Sequence, residues 1–131
     1  MSVQEHSALS ERIRMVYERL FEESEQPIYI QIDEKEKICN EKFAKFLGFE
    51  SAEALESDEK NFPIYYVRES TQSTILNSYY EASEHRAGAV SDITWKKIDG
   101  TFVKTDVITV PIPFEEHMLI LNFIYSIHIR T

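Results

Sequence analysis

Between Val90 and Ile129 three β-rich runs follow one another with only short turns between them. Val, Ile, Thr, Phe and Trp fill the flanks of Asp99-Gly100, and these types suit a pleated surface. Asp-Gly reads as a tight hairpin, because Gly accepts positive φ without steric cost and Asp tolerates it. After a turn at Pro113 to His117 the third run, Met118 to Ile129, completes an antiparallel meander. A meander cannot cover its own faces, so the residues before Val90 must do so.

The last run sets how many faces need cover. Leu119, Leu121, Phe123, Tyr125 and Ile127 fall on one side, and Met118, Ile120, Asn122, Ile124 and Ser126 on the other. A sheet side open to water is ordinarily polar, so Ile120 and Ile124 imply cover on the second side as well. The available cover is a helix from about Ser7 to Ser24. Leu9, Ile13, Val16 and Leu20 recur in it at steps of four, three and four, with Tyr17 and Phe21 beside them. That stripe packs on its own domain or also meets a second subunit, and both readings stay open. Pro27 ends the segment, since it lacks a donor and biases Gln26 away from helix.

In the middle of the chain, Ile28, Ile30 and Ile32 alternate with Tyr29 and Gln31 as a short half-buried strand. A polar turn from Asp33 to Glu36 leads to a second strand, Lys37 to Cys39. Asn40 is a good helix N-cap, with Glu41 at the positive end of the helix; Phe43, Ala44, Phe46 and Leu47 form its apolar face and Gly48 its stop. Ser51 suits the cap of a further short helix. The stretch from Asp58 to Arg68 is irregular around Pro63. A longer helix is expected from about Ser70 to Arg86, stopped at Gly88. The division is a capping or dimerisation helix over 1–26 and one domain over 27–131.

Charge and composition exclude several function classes. A net charge of −9, with no basic run, argues against nucleic acid and against anionic membrane surfaces. The single Cys39 rules out an internal disulfide and fits a cytoplasmic protein. No signal peptide is apparent, and the last apolar run is too short to span a bilayer. His6, His85, His117 and His128 lack metal-ligand spacing, and no phosphate loop, nucleophile elbow or zinc-hydrolase motif occurs.

Taken in order, the landmarks resemble those of the PAS domain, a small sensory and interaction module of signalling proteins. They are Ile38-Cys-Asn40 leading to Phe43, then Leu47-Gly-Phe49, Lys97-Ile-Asp-Gly-Thr101 and Val110-Pro-Ile112. Each is weak alone; their order and spacing carry the resemblance, over roughly Pro27 to Ile127. It implies an α+β fold with a five-stranded antiparallel sheet in the order 2-1-5-4-3 and short helices on one face. The amphipathic N-terminal helix lies outside the core motifs.

The resemblance also implies a cavity between helices and sheet, for which Ile30, Phe43, Leu47, Phe62, Tyr66, Ile75, Tyr79, Trp95 and Phe123 are the candidate lining. The cavity either takes a small molecule or is filled by these side chains. The expected homodimer interface is Leu9, Ile13, Val16, Tyr17, Leu20, Ile120 and Ile124. The cofactor stays unknown. Flavin–cysteine photochemistry is disfavoured because residues 61–68 hold no Cys, and haem because the long helix carries only His85, at its end. The reading is a non-enzymatic, dimerising sensor or interaction module with a downstream signalling partner. The alternatives are a ligand-free scaffold and a small cone-fold enzyme like the ketosteroid isomerases. The enzyme would need an acid–base residue in its pocket, and Asp92 and Asp106 are its only strand carboxylates.

Overall fold

The computed structural model describes residues 3–33 and 36–128. Ile129 and the turn residues 34 and 35 lie outside the described residues, as do the side chains of His6, Ser126 and His128. The element order is α1 (Val3–Glu23), β1 (Ile28–Gln31), β2 (Lys37–Cys39), α2 (Glu41–Leu47), α3 (Ala52–Glu56), a 3-10 turn (Ile64–Tyr66), α4 (Glu69–His85), β3 (Ala89–Lys96), β4 (Phe102–Phe114) and β5 (His117–His128). The strands form one antiparallel sheet in the order β2-β1-β5-β4-β3, as the resemblance implies.

Local chemistry sets several boundaries as read. Asn40 caps α2, its Oδ1 accepting from the Phe43 N–H at 2.9 Å, and Ser51 caps α3 through the Ala54 N–H at 3.1 Å. Gly48 ends α2 in the left-handed region at φ 104°. Asn40 does more than cap. Its Oδ1 also accepts from the Ile28 N–H at 3.0 Å, and its Nδ2 donates to the Gln26 carbonyl at 3.0 Å, so one buried side chain joins α2 to the start of β1. Asn40→Ala is expected to cost about 2–3 kcal/mol, the sum of a lost cap and buried groups left without partners. Asn40→Asp, which keeps the acceptor and loses the donor, should recover part of that in urea denaturation.

Two turns differ from expectation. The β3–β4 connection is a three-residue loop, Ile98-Asp99-Gly100, rather than a two-residue turn. The Gly100 N–H donates to the Lys97 carbonyl at 2.9 Å, and Lys97 N–H to the Thr101 carbonyl at 2.8 Å, with Gly100 alone at positive φ. Asp99 Oδ1 closes it by accepting from Thr101 N–H and Oγ1–H, which holds its carboxyl below the usual range. Helix α4 stops at Arg86, in the left-handed region at φ 53°, with the Ala87 N–H donating to the Glu81 carbonyl. Gly88 serves another purpose: a Cβ there would stand 3.1 Å from the Thr109 carbonyl oxygen, so its bareness lets β3 begin against β4.

The sheet is covered on both sides, as the last run requires, but the sides are exchanged. The inner face, under α2, α3 and α4, carries Tyr29, Cys39, Ile93, Trp95, Val107 and Ile124. The outer face carries Ile28, Ile30, Ile32, Ile38, Leu119 and Leu121, with Phe123 packed on them, and α1 lies over it. Ile30 and Phe123 therefore leave the helical side, and Ile120 and Ile124 leave the α1 side. The cause is buried polarity. Asn122 makes its side of β5 look like the wetter one, yet it is fully buried on the inner face. It accepts there from Thr109 Oγ1–H at 2.9 Å and donates to the Ile120 carbonyl at 3.0 Å. For the same reason β1 is buried on both faces rather than half-buried.

Candidate functional site

Four aromatic rings occupy the space between the helices and the inner sheet face. Tyr29 lies 4.8 Å from Phe43, 5.1 Å from Phe62 and 5.8 Å from Trp95, the last two edge-on; Phe43 meets Trp95 edge-on at 5.5 Å. None of the four is more than 5% exposed, so rings fill the centre rather than line a void. Of the cavity lining read from the sequence, Phe43, Leu47, Phe62, Tyr66, Ile75 and Trp95 come together in this core and Tyr79 packs on it. Tyr29, the hub of the cluster, was missed. Its signal was the alternation of β1, which sets Tyr29 and Gln31 on the side opposite the three Ile.

The polar tips inside this core are paired. Trp95 Nε1–H donates to Thr105 Oγ1 at 3.0 Å, and Thr105 Oγ1–H donates to the Ile93 carbonyl at 2.9 Å. The Tyr29 and Tyr79 hydroxyls hydrogen-bond to each other, and burial pushes both phenols above their ordinary pKa. Tyr66 donates to Asp58 Oδ2 at 2.7 Å. Cys39 is a buried free thiol, held protonated by burial and then by the Glu56 carboxylate. His85 faces outward, its Nδ1 2.8 Å from Glu81 Oε2.

Space remains at the margins. One cleft of about 600 Å³ opens beside the core between α4 and the end of the sheet where β1 finishes and β5 begins, with Gln31, Tyr79 and Ile120 in its lining. Another, about 620 Å³, lies beside the start of α4 around Arg68, Lys96 and Phe102. Its cations already sit over rings, Arg68 over Phe102 at 4.7 Å and Lys96 over Tyr65 at 4.6 Å.

On the outer face α1 uses Leu9, Ile13, Tyr17 and Phe21, a row of four-residue steps. Such a row advances about 40° per step, which follows the twist of the strands beneath it. Leu9 and Ile13 are thus buried in their own domain, and Tyr17 is half-buried there. Among the α1 positions assigned to a dimer interface, only Val16 and Leu20 stay exposed. Polar contacts hold α1 in place: Arg12 to Glu115 with two bonds of 2.8 Å, Arg14 to Glu56 at 2.6 Å, and Ser10 Oγ–H to Glu36 at 2.8 Å. Asp92 and Asp106 stand opposite each other on β3 and β4, on the side facing away from Trp95 and the helical core.

The arrangement can be set beside known structures. No family profile matches the sequence, and no curated protein matches it. Solved structures do. A PAS domain from Colwellia psychrerythraea superposes with a TM-score of 0.64 at 18% identity, over 87% of this chain and 98% of that one. This chain has the PAS fold. A sensory box histidine kinase/response regulator from Burkholderia thailandensis matches with a TM-score of 0.58 at 12% identity, over 87% of this chain and 82% of that chain. The light-state dimer of the fungal blue-light photoreceptor Vivid matches with 0.57 at 16%, over 77% of each chain. Among the described residues of this PAS fold no helix is long and apolar enough to cross a membrane.

Proposed function

We propose that this chain is a sensory or protein-interaction module of signal transduction that forms a homodimer through α1 and the outer sheet face beside it. The observation that carries this reading is the apolar surface left on that side. Val16 is 64% exposed, and it continues with Leu20 the row that begins at Arg12, the residue that reaches the β4–β5 turn. Beyond that row the outer face of β3 to β5 carries Val90, 66% exposed, and the half-buried Ile108 and Tyr125. A second copy would cover apolar surface of this kind by the ordinary hydrophobic effect. The PAS structures that this chain resembles include a sensory histidine kinase and a photoreceptor dimer, and these support the reading by fold. Residues 1–26 are then the dimerisation element and 27–131 the sensory unit, read by a downstream signalling protein. The lone buried thiol suits the cytoplasm.

The test is mass in solution. The wild-type chain should elute and scatter light as a dimer. Val16→Glu with Leu20→Glu, both exposed and so harmless to the fold, should give monomers with an unchanged circular dichroism spectrum. Equal masses for the two proteins would rule out this interface.

A second reading, the ligand-free scaffold, is favoured by the ring-filled centre. It differs from the first only in whether the module takes up a small molecule.

A further inference from the structure

Gln31 is the side chain whose chemistry the fold leaves unfinished. It points from β1 to the inner face, one step along from Tyr29, and is 5% exposed. Its Nε2–H donates to the Asp33 carbonyl at 2.6 Å. A carbonyl oxygen can only accept, so this bond fixes which end of the amide is which. The other end, Oε1, is a buried acceptor with no partner, the one such side-chain atom among the described residues. Native structures rarely leave a buried acceptor unpaired, and each instance calls for a specific cause.

Gln31 lines the 600 Å³ cleft, a volume within the range of small-molecule sites. Leu76 and Ile120 supply apolar wall, while Tyr79 and Tyr80 supply rings. No described residue of the lining is Lys, Arg or His, and Asp33 is among them. An anion would find no counter-charge there and would pay its desolvation uncompensated.

We propose that this cleft binds a neutral, largely apolar small molecule whose N–H or O–H donates to Gln31 Oε1. The site lies beside the aromatic core, not in it, so a full core and an occupied sensor are compatible. The inference deepens the sensory reading by giving it a ligand class. It also fails separately from that reading, because the dimer test reads mass and substitutes residues on the opposite side of the sheet.

The probes are indole and 1-methylindole, which share a shape and differ in the one donor. Binding is followed by chemical-shift titration of the full-length, ¹⁵N-labelled protein, with an indole Kd on the order of 1 mM expected for so small a ligand. Indole should shift the Gln31 side-chain amide and the backbone amides of Leu76, Tyr79 and Ile120. 1-Methylindole should bind about five- to tenfold more weakly, the worth of one hydrogen bond to a group otherwise unpaired. In Gln31→Met the two probes should bind alike. Leu76→Arg sits on an exposed wall and leaves the fold intact; it should weaken indole by about fivefold or more by putting a charge into apolar lining. If Gln31→Met does not fold, the wild-type preference and Leu76→Arg decide the matter. Equal affinity of both probes for the wild type, or shifts centred away from the cleft, would overturn the proposal.

Discussion

Trp95→Ala should cost about 3–5 kcal/mol, a large share of what holds a domain of this size together. Trp95 is fully buried, meets Tyr29 and Phe43 edge-on, and is bonded through its indole N–H to Thr105. Its removal opens a cavity in the middle of the ring cluster, which neighbours already interlocked there can only partly close. A loss of that size moves the urea midpoint down by roughly 2 M at the m-values usual for small domains. Circular dichroism is the right probe, because Trp95 is the chain's only Trp and fluorescence disappears with it. Thr105→Val separates packing from hydrogen bonding. It keeps the volume, leaves the indole N–H without its acceptor, and should cost about 1–3 kcal/mol. A midpoint for Trp95→Ala close to that of the wild type would show that the rings are not the core.

Ile13→Glu should be nearly as severe, and for a different reason. Ile13 is fully buried between α1 and the outer sheet face. Glutamate there removes apolar contact and buries a charge with no assigned partner, about 4 kcal/mol or more in total. The expected fall in Tm is roughly 15 °C, given the unfolding entropy of a chain this long. Val16→Glu, three positions on and exposed, should stay within about 0.5 kcal/mol of the wild type at protein concentrations where both are monomeric. The pair of measurements locates the seam of α1, and equal effects at both positions would mean that the helix is not seated on the row through Ile13.

What could be read ahead of the structure was what depends on neighbours in sequence. Asn40, Gly48 and Ser51 act on backbone groups a few residues away, so their roles were visible in the string. The strand order came with the family landmarks. The assignment of faces was not visible, because it turns on whether Asn122 finds a partner, and Thr109 meets it only once β4 and β5 are in register. The same holds for Tyr29: its hydroxyl argued for solvent until α4 brought Tyr79 to it. In both places a polar atom satisfied at long range mimicked an exposed one. Arg86 in a left-handed conformation was hidden too, since the string offered Gly88 nearby as the more natural stop.

The bonds that fasten α1 have a mechanical consequence. Ser10, Arg12 and Arg14 bracket Ile13, and they reach respectively the turn after β1, the β4–β5 turn and the end of α3. Sliding the helix by one turn, about 5.4 Å, would break all three together. The rest of α1 is fastened differently: Tyr17 and Phe21 pack on the sheet, and the side-chain ion pair described there, Arg19 with Glu23, stays within the helix. Translation is thus blocked while rotation about the bracketed point is opposed mainly by apolar contact, which has no fixed direction. The helix is pinned along its axis at one place, like a compass needle on its pivot, and the end that carries Val16 and Leu20 is held by apolar contact instead.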